Sequence, residues 1–277
     1  MIGIDAHPAA TLLARAMTAL ATEPRDADYL AAEVLGLRRA PSAVAGRLVG
    51  ALLGSDPRVS QLADGRWALV AAAQGSPLLD ECAFAVVDVE TTGMRPSGSR
   101  VLEVGIVVVQ GNRREQVVDR LVNPGATVPK WITRLTRIRT EDVASAPAFA
   151  EIADEVLAAL SGRVFVAHNV RFDWSFLAAE FTRTRGIALS GPRLCTARLA
   201  RRLVPEAESC GLDWLSSYFG LENPARHRAL GDAWATADLL VRLLQRARGD
   251  GARTLQDLEA LQHRGRRRRA RGRRQSS

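Results

Sequence analysis

Cysteine, lysine and long apolar runs are what this chain has least of. Its three cysteines, Cys82, Cys195 and Cys210, are odd in number and show no CxxC or Cys/His zinc spacing. That argues against a disulfide framework and leaves buried or indifferent thiols. No uninterrupted apolar stretch approaches the roughly 18 residues that a membrane span needs. Residues 1–8 carry an acid and no Lys or Arg, unlike the basic start of a secretory signal. A cytoplasmic protein without membrane contact is the expectation. Lys130 is the only lysine, while arginine and alanine abound, a bias that reads as genome composition rather than function.

What is present is ordinary for a globular chain of one or two domains: 277 residues, 47% hydrophobic and 25% charged. The net charge of +8 has a specific location. Residues 264–274 hold eight arginines and no acid, residues 1–80 hold seven arginines against eight acids, and the stretch between is nearly balanced. The basic character therefore belongs to the tail. Residues 264–277 read as disordered, serving either solubility or a salt-sensitive grip on DNA or RNA.

Apolar spacing of three and four predicts three helices over 9–21, 27–36 and 41–53. Two short strand-like runs follow, joined by Asp64-Gly65, a strong hairpin signal because a tight turn needs positive φ. Residues 74–82, beginning Gln74-Gly75-Ser76-Pro77, read as a linker. Strands are expected over 83–89, 101–110 and 116–122. Helices near 147–160 and 171–185 should enclose a strand at 163–167, with more helices near 211–219 and 229–247. Three hairpin-linked strands followed by alternating helix and strand predict an α/β fold on a sheet of mixed direction.

Three clusters carry candidate chemistry. In Asp88-Val89-Glu90-Thr91-Thr92-Gly93, which ends an apolar strand, Asp88 and Glu90 are two apart and so project from one face. Neighbouring carboxylates repel unless a cation lies between them; the bland alternative is one acid facing solvent at a frayed strand end. In His168-Asn169-Val170-Arg171-Phe172-Asp173 a strand gives way to a helix, leaving Asp173 in its first turn, where an acid also simply complements the helix dipole. Phe172, Trp174 and Phe176 suit either base stacking or a core. In His227-Arg228-Ala229-Leu230-Gly231-Asp232-Ala233, residues 227 and 232 do not share a helical face. They meet only if His227 lies on the loop before the helix. Glu103 is a candidate for a supporting position, Asp238 reads as solvated, and His168 as structural.

Taken in order, DxETTG, HNxxFD and HRALGDA resemble the three motifs of the DEDDh 3′→5′ exonuclease family, the group that contains the epsilon proofreading subunit of bacterial DNA polymerase III. The resemblance covers residues 83–248. It implies a ribonuclease-H-like, mixed five-stranded sheet flanked by helices. It implies that Asp88, Glu90, Asp173 and Asp232 hold two divalent ions, Mg²⁺ or Mn²⁺, with His227 as the base that takes a proton from the attacking water. Thr91, Thr92 and Asn169 would seat the substrate. One departure is Arg137, where the family usually has glycine. Residues 1–73 resemble a winged-helix domain of the HARE type. Their third helix carries only Arg47, which favours a contact to a polymerase or repair partner, or a substrate-orienting role, over direct DNA binding. A C-terminal helix is expected over 249–263. DNA is the expected substrate. RNA trimming and a non-catalytic nucleic-acid-binding module are the alternatives.

Overall fold

The computed structural model describes residues 3–8, 11–21, 23–56, 58–70, 76–111, 113–223 and 225–263. The arginine tail at 264–277 lies outside the described residues. A first strand, β1 (Asp5–Pro8), precedes three helices, α1 (Leu12–Leu20), α2 (Ala27–Glu33) and α3 (Ser42–Leu53), and a hairpin of β2 (Val59–Gln61) and β3 (Trp67–Leu69). Thr11 and Asp26 cap α1 and α2 by accepting the amides of Ala14 and Tyr29. Gly65 closes the hairpin at φ 84°. Met17, Leu20, Leu30, Val49, Leu53 and Trp67 form a core separate from the rest of the chain. The three-helix-plus-hairpin pattern is therefore present. Its strand β1, which the sequence did not announce, pairs antiparallel with β8 (Ile187–Ser190) in the following unit.

That unit is built on a five-stranded sheet. β4 (Ala83–Thr91), β5 (Val101–Gln110) and β6 (Arg113–Leu121) are antiparallel; β7 (Val164–Ala167) and β9 (Arg193–Cys195) run parallel to β4, giving the order β6-β5-β4-β7-β9. Two short helices, α4 (Lys130–Thr136) and α5 (Thr140–Val143), lead out of β6. On one face α6 (Phe149–Leu160) and α7 (Arg171–Arg185) cover Ala85, Val87, Val89, Val104 and Ile106. On the other, α8 (Thr196–Leu203), α9 (Leu212–Phe219), α10 (Ala229–Gly249) and α11 (Leu255–His263) cover Phe84, Val86, Val107, Val109 and Val166. Both faces are apolar because helices bury both, so these strands read as near-continuous Val/Ile runs.

The expected C-terminal helix divides: α10 continues to Gly249, and α11 begins at Leu255. From α11 the Gln262 amide accepts from Cys195 N and donates to Arg193 O, satisfying the outer edge of β9 as a sixth strand would. The expected linker is anchored too. Leu79 N bonds Arg253 O, Leu255 N bonds Pro77 O, and Leu79 and Cys82 are buried, while residues 74 and 75 lie outside the described residues.

Candidate active site

Strand parity aims the first two carboxylates. Phe84 and Val86 face α10, so Asp88 and Glu90, continuing the same alternation, face it as well. Across the ladder Glu90 pairs with Glu103 and Asp88 with Gly105, which puts these β5 residues on that face also. A Cβ on Gly105 would lie 2.5 Å from backbone atoms of Ala229 and Leu230. Only glycine lets α10 begin directly on the sheet here.

That close approach delivers Asp232, which sits in the first turn of α10. One carboxylate oxygen each from Asp88, Glu90 and Asp232 lies within 4.8 Å of the others. His227 stands just before the helix, with left-handed backbone at φ 60°. Its amide donates to Asp232 Oδ2 at 3.0 Å, and Asn223 Nδ2 donates to Oδ1 at 2.6 Å. The loop-then-helix arrangement that the five-residue spacing required is the one observed. Gly231 is needed next door, since a Cβ there would meet Ala225 O at 2.3 Å.

Asp173 arrives from the opposite side of the sheet, in the first turn of α7, and is 3% exposed. Its Oδ1 accepts the amide of Val89, the residue between Asp88 and Glu90, at 3.2 Å. It thus reaches the same strand end, although the compact three-residue group does not include it.

The electrostatics are those of crowded like charges. Burial, then Asp173, Asp232, Glu90 and Glu103, hold the Asp88 carboxyl well above the usual carboxylate range. Glu90 is pushed up to about 8 by burial and by Asp232, Glu103 and Asp173, with Arg228 pulling the other way. Burial raises Asp173 to about 7 against the hydrogen bond from Val89. Asp232 is raised by burial and drawn back by Asn223 and His227. Each of these acids is harder to ionise here than in water. A set of converging oxygen donors with that property fits hard divalent cations, whose charge offsets the repulsion.

The other expected positions are occupied in different ways. The Thr91 hydroxyl donates to Gly93 O at 2.7 Å, and Thr92 is tied to Arg100 through its amide and its hydroxyl oxygen, so both side chains stiffen the loop after Glu90. Asn169 is an exposed turn residue at φ 76°. His168 Nδ1 meets Thr196 Oγ1 at 2.9 Å, in keeping with a structural role. Phe176 is buried and packs on Phe172, while Trp174 packs on Phe165 beneath Arg193, so these aromatics belong to the core side. Asp238, expected in solvent, is ion-paired with Arg114.

The sequence profile of the exonuclease family matches residues 85–240, the stretch that contains all of these carboxylates. The chain belongs to the exonuclease family. The chain is 38% identical over 181 residues to the DNA polymerase III subunit epsilon-like protein of Rhodobacter capsulatus, covering 64% of this chain and 26% of that one. It is 32% identical over 162 residues to DNA polymerase III subunit epsilon of Aquifex aeolicus, covering 58% and 80%. It is also 32% identical over 179 residues to the 3′-5′ exonuclease DinG of Bacillus subtilis, covering 64% and 19%. The chain thus spans well under two thirds of two of these three relatives. Among solved structures, exonuclease X in complex with 5′ overhanging duplex DNA superposes with a TM-score of 0.52 at 26% identity, covering 65% of this chain and 99% of that one. Escherichia coli exonuclease I bound to an oligonucleotide superposes with 0.53 at 18%, covering 61% and 42%. The fold is ribonuclease-H-like, and residues 85–240 make up its exonuclease-family domain. Among the described residues, no helix is long and apolar enough to cross a membrane.

Proposed function

We propose that this chain is a metal-dependent 3′→5′ exonuclease of the DEDDh type that removes nucleoside 5′-monophosphates from DNA. The convergence of Asp88, Glu90 and Asp232 within 4.8 Å, with Asp173 on the intervening Val89 amide, carries the proposal. These four residues would hold two Mg²⁺ or Mn²⁺ ions, because oxygen-only donors select hard cations. When bound, such ions offset charge on the attacking and leaving oxygens of a phosphodiester displacement. The chain's own residues do the rest. His227 accepts the proton of the attacking water, and the hydrogen bond from its amide to Asp232 keeps the base in register with the carboxylates. The loop at Thr91 and Thr92, stiffened by its bonds to Gly93 and Arg100, would present backbone to the terminal nucleotide, and Asn169 would add a further substrate contact.

The module at the N-terminus resembles a winged helix and is proposed to contact a polymerase or repair partner. Its third helix offers Arg47 and an exposed Leu48 rather than a basic face.

The test is incubation of 3′- and 5′-labelled single-stranded DNA, duplex DNA and RNA with the protein and Mn²⁺. Release of the 3′ label as a mononucleotide, fastest from single-stranded DNA, is expected. Release from the 5′ end, internal cleavage, or a preference for RNA would overturn polarity or substrate.

A further inference from the structure

Two buried glutamates lie outside the four carboxylates and are more completely enclosed than Asp88, Glu90 or Asp232, which are half-buried. Glu103 and Glu180 are each 1% exposed. A buried carboxylate is costly unless it is paired and fully hydrogen-bonded, so what each one grips shows what it does.

Glu103, on β5, grips the start of α10. Arg228 Nε lies 3.0 and 3.2 Å from its two oxygens, Arg228 Nη2 lies 2.5 Å from Oε1, and the amide of Ala229, first residue of α10, donates to Oε2 at 2.8 Å. The fork and the helix amide together fix the direction in which α10 leaves the sheet, and Asp232 lies one turn further on. His227 is the residue before Arg228. Glu180 makes the same device from the opposite side. It stands seven residues after Asp173, on the same face of α7. It receives Arg100 Nε at 2.7 Å, Arg100 Nη2 at 3.0 Å and the amide of Val101 at 3.2 Å. Val101 opens β5, the strand that carries Glu103, and Arg100 immediately precedes it.

We infer that Glu103 and Glu180 are positioning residues for the metal site: they fasten the two carboxylate-bearing helices to one short frame, residues 100–105. The strand end supplies Asp88 and Glu90 rigidly through the sheet. Asp173 and Asp232 come from helices on opposite faces, which apolar packing alone would leave free to slide by fractions of an ångström. A bidentate arginine fork combined with a backbone amide sets both distance and angle. Neither glutamate belongs to the group of carboxylates that converges within 4.8 Å. Their positioning effect passes through Arg228, Ala229, Arg100 and Val101, whose hydrogen bonds they receive, while Glu103 also adds its charge to the field at Asp88 and Glu90. Groups in this relation to metal ligands are worth about 10–100-fold in metal affinity or activity when altered.

The inference rests on the proposed metal reading, and calorimetric titration of Mn²⁺ into the full chain without substrate separates the two. Uptake of two ions by the wild type is expected; no uptake would remove the metal reading itself. Glu103→Gln keeps an acceptor for the Ala229 amide but loses the charged fork, and should weaken Mn²⁺ binding about 10-fold. It should also speed amide exchange at Ala229 and Leu230 in the metal-free protein. Glu180→Gln should weaken binding similarly, with faster exchange at Val101. Because these variants bear on buried charge and their folding is at risk, Arg228→Lys provides the surface-accessible counterpart. Its side chain is 47% exposed, and lysine cannot reproduce the fork. Folded variants that bind Mn²⁺ as tightly as a two-ion wild type would overturn the positioning role. A loss of thermal stability without a change in Mn²⁺ affinity would also overturn it.

Discussion

The metal-free protein should lose stability as pH rises from about 5 to 8, in the range where most proteins are near their optimum. The perturbation is ionisation of the carboxylate cluster. Glu90 titrates at about 8 in the fold and near 4.5 in the unfolded chain, and Asp173 at about 7 against 3.8. A group whose folded value is raised binds its proton more tightly when native. Its contribution is fully present below the unfolded value and is lost as pH passes the folded one. Each tenfold change in proton affinity is about 1.4 kcal/mol. Glu90 by itself would then account for roughly 4 kcal/mol, and because it shares its repulsion with Asp173 and Asp88, the contributions do not add. A total loss on the order of 3–4 kcal/mol between pH 5 and 8 corresponds to about 5–7 °C in melting midpoint for a chain of this size. Scanning calorimetry in EDTA at constant ionic strength reads it directly. Saturating Mn²⁺ should flatten or reverse the slope, since the ions bind the ionised form. A metal-free midpoint that stays level or rises from pH 5 to 8 would refute the reasoning, because the cluster would then not be holding its protons.

Three substitutions extend the same logic. Asp88→Asn should abolish hydrolysis yet stabilise the metal-free protein by about 0.5–2 kcal/mol, because it replaces one of the converging acids with a side chain that cannot ionise; activity and melting measured on one sample check both halves. Gly231→Ala forces a Cβ into Ala225 O and must shift the turn that carries His227 and Arg228, so turnover should fall about 100-fold with binding of DNA less affected; steady-state kinetics separates the two. Arg137 ends α4 in left-handed backbone at φ 64°, and Arg137→Gly should stabilise the protein by about 1 kcal/mol, read by denaturant melting.

The legible part of the site was local. The two-residue spacing of Asp88 and Glu90 needs only strand alternation, and the offset of His227 from Asp232 needs only a loop before a helix. The departure at Arg137 was also visible in the chain, and its left-handed backbone explains why glycine suits that position. The remainder was illegible because it depends on contacts far apart in sequence. Glu103 and Arg228 are 125 residues apart, Arg100 and Glu180 are 80 apart, and nothing near either glutamate announces its partner. Asn223 carries no pattern of its own, yet it bonds Asp232. Likewise β1 is too short to stand out, and its partner β8 lies more than 170 residues away. Asp5 of β1 also pairs with Arg58, so β1 links the hairpin end of the N-terminal module to β8, a strand outside the five-stranded sheet.

The most direct test is anomalous diffraction from crystals soaked in Mn²⁺. Two manganese peaks held among Asp88, Glu90, Asp173 and Asp232, and lost in Asp88→Asn, are expected. Well-diffracting crystals with no manganese in that pocket, or with Asp173 or Asp232 taking no part in holding it, would contradict the claim that these side chains converge to bind metal.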